Sequence, residues 1–229
     1  VRISIVIPVY ECHGNGVSFL DHQFGIFNSQ VFKDFQVVIT DHSIDDEIEN
    51  YCNENKYGLN IKYLRNENDR GNFSANTNYG IQNSDGEIIK IVFQDDFLSS
   101  SKSLETISSA FTNDINWLVT ACVHTKNGVN FYCRFTPVYN DTIHLGNNTI
   151  SCPSVLTIRN REDIPLFDER LIWLMDVDYY KMLHDKYGDP KVVRDICVCI
   201  RTCDSQESKR ISGDRKNEEH HLVSEKHKI

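Results

Sequence analysis

Residues 3–9, ISIVIPV, run without a charge and give way to a tyrosine and a glutamate. The run is strand-sized, and its lack of apolar/polar alternation suits a strand covered on both faces, as in a parallel sheet. A chain that opens this way has to supply helices for both faces of that sheet.

The following segments keep that rhythm. A helix is predicted over 17–32, where Phe19, Leu20, Phe24, Phe27 and Val31 give an apolar face. A strand follows at 35–40, a helix at 46–55, a strand at 61–64, a helix at 74–83 and a strand at 87–93. Strands alternating with helices at these spacings predict an α/β fold with a mainly parallel central sheet flanked by helices. In such sheets ligands bind outside the carboxyl ends of the strands. Two of those ends are acidic here, with Asp41 after the second strand and Asp95 and Asp96 after the fourth.

The rhythm changes after Asp96. A helix at 104–111 leads to a strand at 117–123, a hairpin region at 127–137 turning at Asn127 and Gly128, and a loop at 140–148. A strand at 154–159, a helix with an acidic start at 171–186 and a strand at 191–201 complete the pattern. From about Ser205 the chain is polar and is expected to be mobile, with His220 and His221 in solvent. The expected organisation is one domain in two halves, 1–98 and 99–205, followed by a polar tail, 206–229.

Composition excludes several partners. The chain has 229 residues and a formal net charge of -9. An acidic surface has no general attraction for phosphate backbones, so nucleic acid is not an expected partner. The polybasic face of an electrostatic membrane binder is missing as well. No stretch approaches the roughly 18 apolar residues of a membrane span, so no integral membrane segment is expected. Nor is there a signal-peptide layout. The expected location is cytoplasmic, with the eight cysteines as reduced thiols.

Three constellations carry possible chemistry. Adjacent carboxylates at Asp95 and Asp96 raise each other's pKa, and a hard divalent cation such as Mn2+ or Mg2+ relieves that and takes substrate phosphates as further ligands. The plain alternative is a solvated strand end. Asp41 is placed to accept hydrogen bonds from a base or ribose, or else to close an Asx turn with Ser43. In WLMDVDYY, 173–180, Asp176 is a candidate general base, which requires a carboxylate within reach of an acceptor hydroxyl. Trp173 offers a flat face for a sugar ring, or a core side chain. The glycines at 14 and 16 lack the dinucleotide fingerprint, and Cys197, Cys199 and Cys203 lack zinc spacing.

Taken in order, these segments resemble the family 2 glycosyltransferases of the GT-A fold. SIVIPVY at 4–10 resembles the family's first strand, and QVFKDFQVVITDHS at 30–43 its second strand and acidic turn. DRGNFSANTNYGI at 69–81 resembles the segment before the metal strand, and IVFQDDFL at 91–98 the metal motif. Asp176 falls where the family has a Glu-Asp pair, and RTCDSQES at 201–208 resembles the closing strand and loop.

The resemblance implies an inverting transfer of a sugar from a nucleotide-diphosphate donor to an acceptor hydroxyl. Pro8, Tyr10, Glu11, Asp41, Arg70 and Asp95 would serve the donor, and Asp95 and Asp96 the metal. Asp176 would be the base. Trp173 and Asp178 would face a glycan, lipid-linked or small-molecule acceptor, and Asp178 competes with Asp176 as base. The chain departs from the pattern at Thr40, Phe93, Met175 and Cys203, where the family carries polar or charged residues. Two other readings remain. A nucleotidyltransferase would need a basic or glycine-rich loop after the first strand, which 9–14 does not provide. A degenerate transferase would bind a sugar nucleotide or a partner without turnover.

Overall fold

The computed structural model describes residues 1–202 and 211–227. Its strands are β1 (Ile3–Val9), β2 (Phe35–Asp41), β3 (Ile61–Arg65), β4 (Ile88–Ile91), β5 (Phe97–Leu98), β6 (Trp117–Thr125), β7 (Phe131–Phe135), β8 (Leu156–Arg159) and β9 (Lys191–Arg201). Its helices are α1 (Gly16–Asn28), α2 (Glu47–Glu54), α3 (Phe73–Gln82), α4 (Ser103–Ala110), α5 (Met175–Tyr187) and α6 (Gly213–Lys226). Among the described residues the strands form a single sheet in the order β3-β2-β1-β4-β8-β6-β9-β5, with β7 paired to β6.

The unbroken apolar runs become central parallel strands, as expected. Every residue of β1 and β2 is buried, and β1 pairs in parallel with both β2 and β4. The α3 helix packs on β1 and β2. The approach is close because position 80 is glycine: a Cβ there would lie 2.4 Å from Val6 Cγ1.

Beyond β4 the sheet is mixed. The β4–β8, β8–β6, β6–β7 and β5–β9 ladders are antiparallel, while β6 and β9 run parallel. A buried lysine ties this region to β4. Lys90 Nζ donates to the carbonyls of Ser154 and Leu156, and full burial pulls its pKa down to about 8. Unsatisfied buried ammonium groups are costly, and these two carbonyls offset that cost. The α5 helix covers β6 through the Tyr180 and Trp117 rings, stacked with centroids 6.4 Å apart.

The polar tail requires a correction. Residues 213–226, expected to be mobile, form α6 and dock on the domain. The helix is capped by Ser212, whose Oγ accepts from Arg215 N–H at 3.2 Å. It buries Glu219 and Val223 completely or nearly so. His220 packs edge-on against Trp173 at 5.2 Å instead of lying free in solvent, whereas His221 is exposed. A largely polar composition hid an amphipathic fit that uses one carboxylate and one valine. Cys203 and residues 203–208 of the expected closing loop lie outside the described residues.

Candidate active site

The turn after β4 is clasped to the end of β1. Gln94 Oε1 accepts from Tyr10 N–H at 3.1 Å, and its Nε2 donates to Tyr10 O at 2.9 Å. From α1, Gln23 Nε2 donates to the carbonyls of Phe93 (2.8 Å) and Asp96 (2.6 Å). Gly16 is required at this junction, since a Cβ would meet Tyr10 O at 2.7 Å. Two glutamines thus fix the segment that presents Asp95 and Asp96. Glu11 is half-buried beside this junction, and its carbonyl accepts from the Gly14 and Gly16 amides.

Asp96 is buried at 3% exposure. Its Oδ1 accepts from Arg201 N–H at 2.8 Å and its Oδ2 from the Cys152 thiol at 3.3 Å. Burial first, and then the neighbouring Asp95 charge, raises its pKa to about 7. Burial also raises Asp95, against the pull of Arg201. Arg201 Nε donates to Asp95 O at 3.1 Å, and its guanidinium lies over the Phe19 and Phe97 rings.

The residues expected to serve a donor divide. Pro8 is buried in β1 opposite Thr40, and Tyr10 and Glu11 sit half-buried at the strand end. Arg70 lies in the exposed loop before α3, 3.8 Å from Glu67. Asp41 is fully buried. Its Oδ1 accepts from Ser43 N–H at 2.8 Å and its Oδ2 from Tyr63 Oη at 2.7 Å. Arg65 approaches within 3.7 Å. The Asx turn to Ser43 is present, and Asp41 orders the end of β2 through bonds to both of its oxygens.

Asp176 lies in the first turn of α5, in a cleft of about 410 Å³ that Trp173, Asn148, Cys152, His124 and Thr202 also line. Its Oδ2 accepts from Asn148 Nδ2 at 2.7 Å and its Oδ1 from Val177 N–H at 2.7 Å. Burial outweighs these bonds and raises its pKa to about 7. The cleft wall connects the two acidic centres. Asn148 Nδ2 also donates to Ser151 O at 3.1 Å, Ser151 holds a left-handed φ of 94°, and Cys152 follows with its thiol on Asp96.

Asp178 does not compete for this cleft. It is fully buried on another face of α5, with Lys226 Nζ at 2.7 Å and His227 Nε2 at 2.8 Å. Helical geometry turns residues two apart to different faces, and α6 takes this one. Trp173 does line the cleft, with Lys216 Nζ 4.9 Å above its ring. The three described departures from the family pattern are packed positions. Thr40 Oγ1 donates to Asn76 O at 2.9 Å, Phe93 meets Phe73 edge-to-face at 4.6 Å, and Met175 Sδ lies 3.5 Å from Ser74 Oγ.

A divalent cation fits Asp95 and Asp96 chemically. Both are oxygen donors whose pKa values are raised by burial, so a cation offsets the charge that the interior disfavours. Among the described residues no group of three or more His, Cys, Asp or Glu side chains is placed to hold a metal. Two carboxylates completed by phosphate and water oxygens is the arrangement that Mg2+ accepts, in contrast to an all-protein cage.

Sequence reasoning missed Gln94, Gln23, Asn148, Cys152 and Glu219. Gln94 stands directly before the acidic pair and was visible in that sense. The others come from distant segments, and no local pattern marks them.

The comparisons with known proteins follow this geometry. A profile of glycosyl transferase family 2 matches residues 4–159, and the chain belongs to that family. A curated uncharacterized glycosyltransferase of Rickettsia bellii is 24% identical over 195 residues, covering 78% of this chain and 26% of that protein. A second, from Rickettsia conorii, is 29% identical over 100 residues, covering 44% of this chain and 16% of the relative. The chain thus spans about a quarter or less of these relatives.

Solved structures show the same α/β fold. S. aureus TarS 1-349 superposes with a TM-score of 0.70 at 19% identity, covering 98% of this chain and 64% of that one. Its complex with UDP-GlcNAc gives a TM-score of 0.71 at 17% identity, covering 98% and 66%. The mannosyltransferase PcManGT of Pyrobaculum calidifontis, in complex with GDP-Man and Mn2+, gives 0.62 at 14% identity, covering 89% and 58%. No helix among the described residues is long and apolar enough to cross a membrane.

Proposed function

We propose that this chain is the catalytic domain of an inverting glycosyltransferase that moves a sugar from a nucleoside-diphosphate donor to an acceptor hydroxyl. The observation that carries the reading is the pair of acidic centres joined by one cleft wall. Asp96 bonds to Cys152, Cys152 lines the cleft, and Asp176 stands in it with its pKa raised to about 7. A carboxyl poised near neutral pH suits proton abstraction from an alcohol.

In this reading Asp95 and Asp96 would hold Mn2+ or Mg2+ at the donor diphosphate. The bound ion supplies electrostatic stabilisation of the leaving nucleoside diphosphate. Pro8, Tyr10, Glu11 and Asp41 form the strand-end floor of the nucleotide pocket, and Arg70 is the flanking cation. Trp173 presents its ring to the acceptor. Asp176 accepts the acceptor's hydroxyl proton as that oxygen bonds to the anomeric carbon. The carbon–oxygen bond to the diphosphate breaks on the opposite side, its electron pair leaves with the nucleotide, and the configuration inverts. That the fold neighbours bind UDP-GlcNAc and GDP-Man supports testing both nucleotides.

The test is nucleotide release. Purified protein is incubated with UDP-GlcNAc or GDP-Man, Mn2+ and a panel of glycan, lipid-linked and small-alcohol acceptors. Acceptor-dependent release of one nucleotide, abolished in Asp176→Asn, supports the reading. Metal-dependent donor binding without release for any acceptor supports the degenerate alternative.

A further inference from the structure

A buried carboxylate lies outside the cleft. Glu219, in the middle of α6, is fully buried. Its Oε1 accepts from Ile172 N–H at 3.0 Å and from Arg215 Nε at 3.1 Å. Its Oε2 accepts from Trp173 N–H at 2.8 Å and from Leu174 N–H at 2.9 Å. Three successive amides converge on one carboxylate, and they are the last three before α5. The Leu174 amide is among those a helix start leaves unpaired, and a helix N-terminus carries partial positive charge, so an anion beside it is stabilised. The side chain that orders a helix start ordinarily comes from the adjoining sequence. Leu174, the capping position of α5, has no side-chain cap bond, and the carboxylate arrives from 45 residues further along the chain.

The rest of α6 extends the same contact. Arg215 Nη2 donates to Arg170 O within the same loop at 2.5 Å, and Lys216 and His220 flank the Trp173 ring. At the far end of the helix, Lys226 and His227 hold Asp178. The backbone before the first turn of α5 and a side chain within that turn are thus both fixed by α6, and Asp176 lies between them.

We propose that Glu219 is a positioning residue for the transfer reaction: by gathering the amides of residues 172–174 it sets the start of α5, and with it Trp173 and Asp176 in the acceptor cleft. The proposal rests on the reading of Asp176 as the base. It assigns α6 a place in the acceptor half of the site.

Fluorine NMR on fluorotryptophan-labelled protein separates this claim from the functional reading. The chain has two tryptophans. Trp117 is buried, stacks on Tyr180 and donates to Gly188 O at 2.9 Å, so it reports on β6 and the body and far end of α5 and not on the loop before that helix. Trp173 reports on the loop, and its signal is assigned by its loss in Trp173→Phe. In Glu219→Gln, one acceptor oxygen becomes an amide donor facing other donors. The Trp173 signal is expected to shift or broaden while the Trp117 signal stays in place. Arg215→Met, which keeps the carboxylate and removes its cation, is expected to move the Trp173 signal in the same direction by less.

In the release assay, kcat of Glu219→Gln is expected to fall by about tenfold or more, with the donor KM within about twofold, because misplacing a catalytic group costs turnover ahead of donor affinity. An unmoved Trp173 signal overturns the proposal, as does an unchanged kcat. Collapse of both signals together also overturns it, since that assigns Glu219 to the stability of the whole domain. A wild-type protein that neither binds nor releases nucleotide defeats the functional reading, and the fluorine signals alone still decide whether Glu219 orders residues 172–174.

Discussion

Replacing Asp96 with asparagine should stabilise the metal-free protein above neutral pH. The folded pKa of Asp96 is raised from 3.8 to about 7. Between those values the folded state binds more protons at this position than the unfolded state does, so stability falls as pH rises through that window. At ~1.4 kcal/mol per tenfold change, full ionisation of the buried group costs up to ~4 kcal/mol. Asparagine keeps an oxygen for the Arg201 amide but gives up the charged character of that bond, a loss of about 1 kcal/mol. The net expected gain at pH 8 is roughly 1–3 kcal/mol, or a melting temperature higher by roughly 2–10 °C for a domain of this size.

At pH 5 the wild-type group is protonated, and the two proteins should melt within a degree or two of each other. The assay is thermal unfolding in EDTA from pH 5 to 8, repeated with Mn2+ and UDP. Ligand should raise the wild type and leave Asp96→Asn unmoved, because binding to the folded state acts by mass action. A variant that is less stable than wild type at pH 8, by the same amount as at pH 5, would refute the reasoning. That result would make Asp96 a structural carboxylate.

Other expected outcomes can be checked alongside. Asp176→Asn should lower kcat by about 10²–10⁴-fold with donor KM little changed, as read by nucleotide release. In the wild type kcat should fall as pH drops below about 7, where Asp176 becomes protonated. Asn148→Ala removes a bond that favours the charged form, and should move this acid limb to higher pH in a rate profile. Asp178→Ala leaves Lys226 and His227 facing a buried gap, and should cost about 2–4 kcal/mol in denaturant unfolding, less than a fully enclosed pair because Lys226 is 25% exposed. Gly80→Ala forces a methyl to 2.4 Å from Val6 Cγ1 and should cost about 1–3 kcal/mol or more by the same measurement.

The parallel half of the fold was legible because its signals are local. The apolar runs at 3–9 and 35–40 are central strands, and Asp41 at the end of β2 and Asp95 and Asp96 after β4 lie at the carboxyl end of the parallel strands. The mixed half was legible as elements and not as ladders, since antiparallel and parallel pairing leave similar marks on strands as short as Leu156–Arg159. Asp41 shows the limit within the site. Its position and the turn to Ser43 are readable in the sequence, but its partners Tyr63 and Arg65, on the neighbouring strand, are not.

The C-terminal region misled for a physical reason. A helix whose mean composition is polar reads as solvated, yet α6 docks through Glu219, Val223 and Lys226, with His227 just after it, using polar contacts where most helices use a wider apolar stripe. No periodicity rule detects a carboxylate that gathers the amides just before a helix 45 residues earlier. The departures at Phe93 and Met175 were visible as substitutions, but their packing against Phe73 and Ser74 was not.

The central claim is that Asp95 and Asp96 hold a divalent ion against a nucleotide diphosphate, and calorimetric titration tests it most directly. UDP, GDP, CMP and dTDP are titrated into the wild type and Asp95→Asn, each with Mn2+ and with EDTA. The expected result is saturable binding of one nucleotide class that requires Mn2+ and is lost in Asp95→Asn. Binding that is equally tight in EDTA, or no binding of any nucleotide at millimolar concentration, would contradict the account.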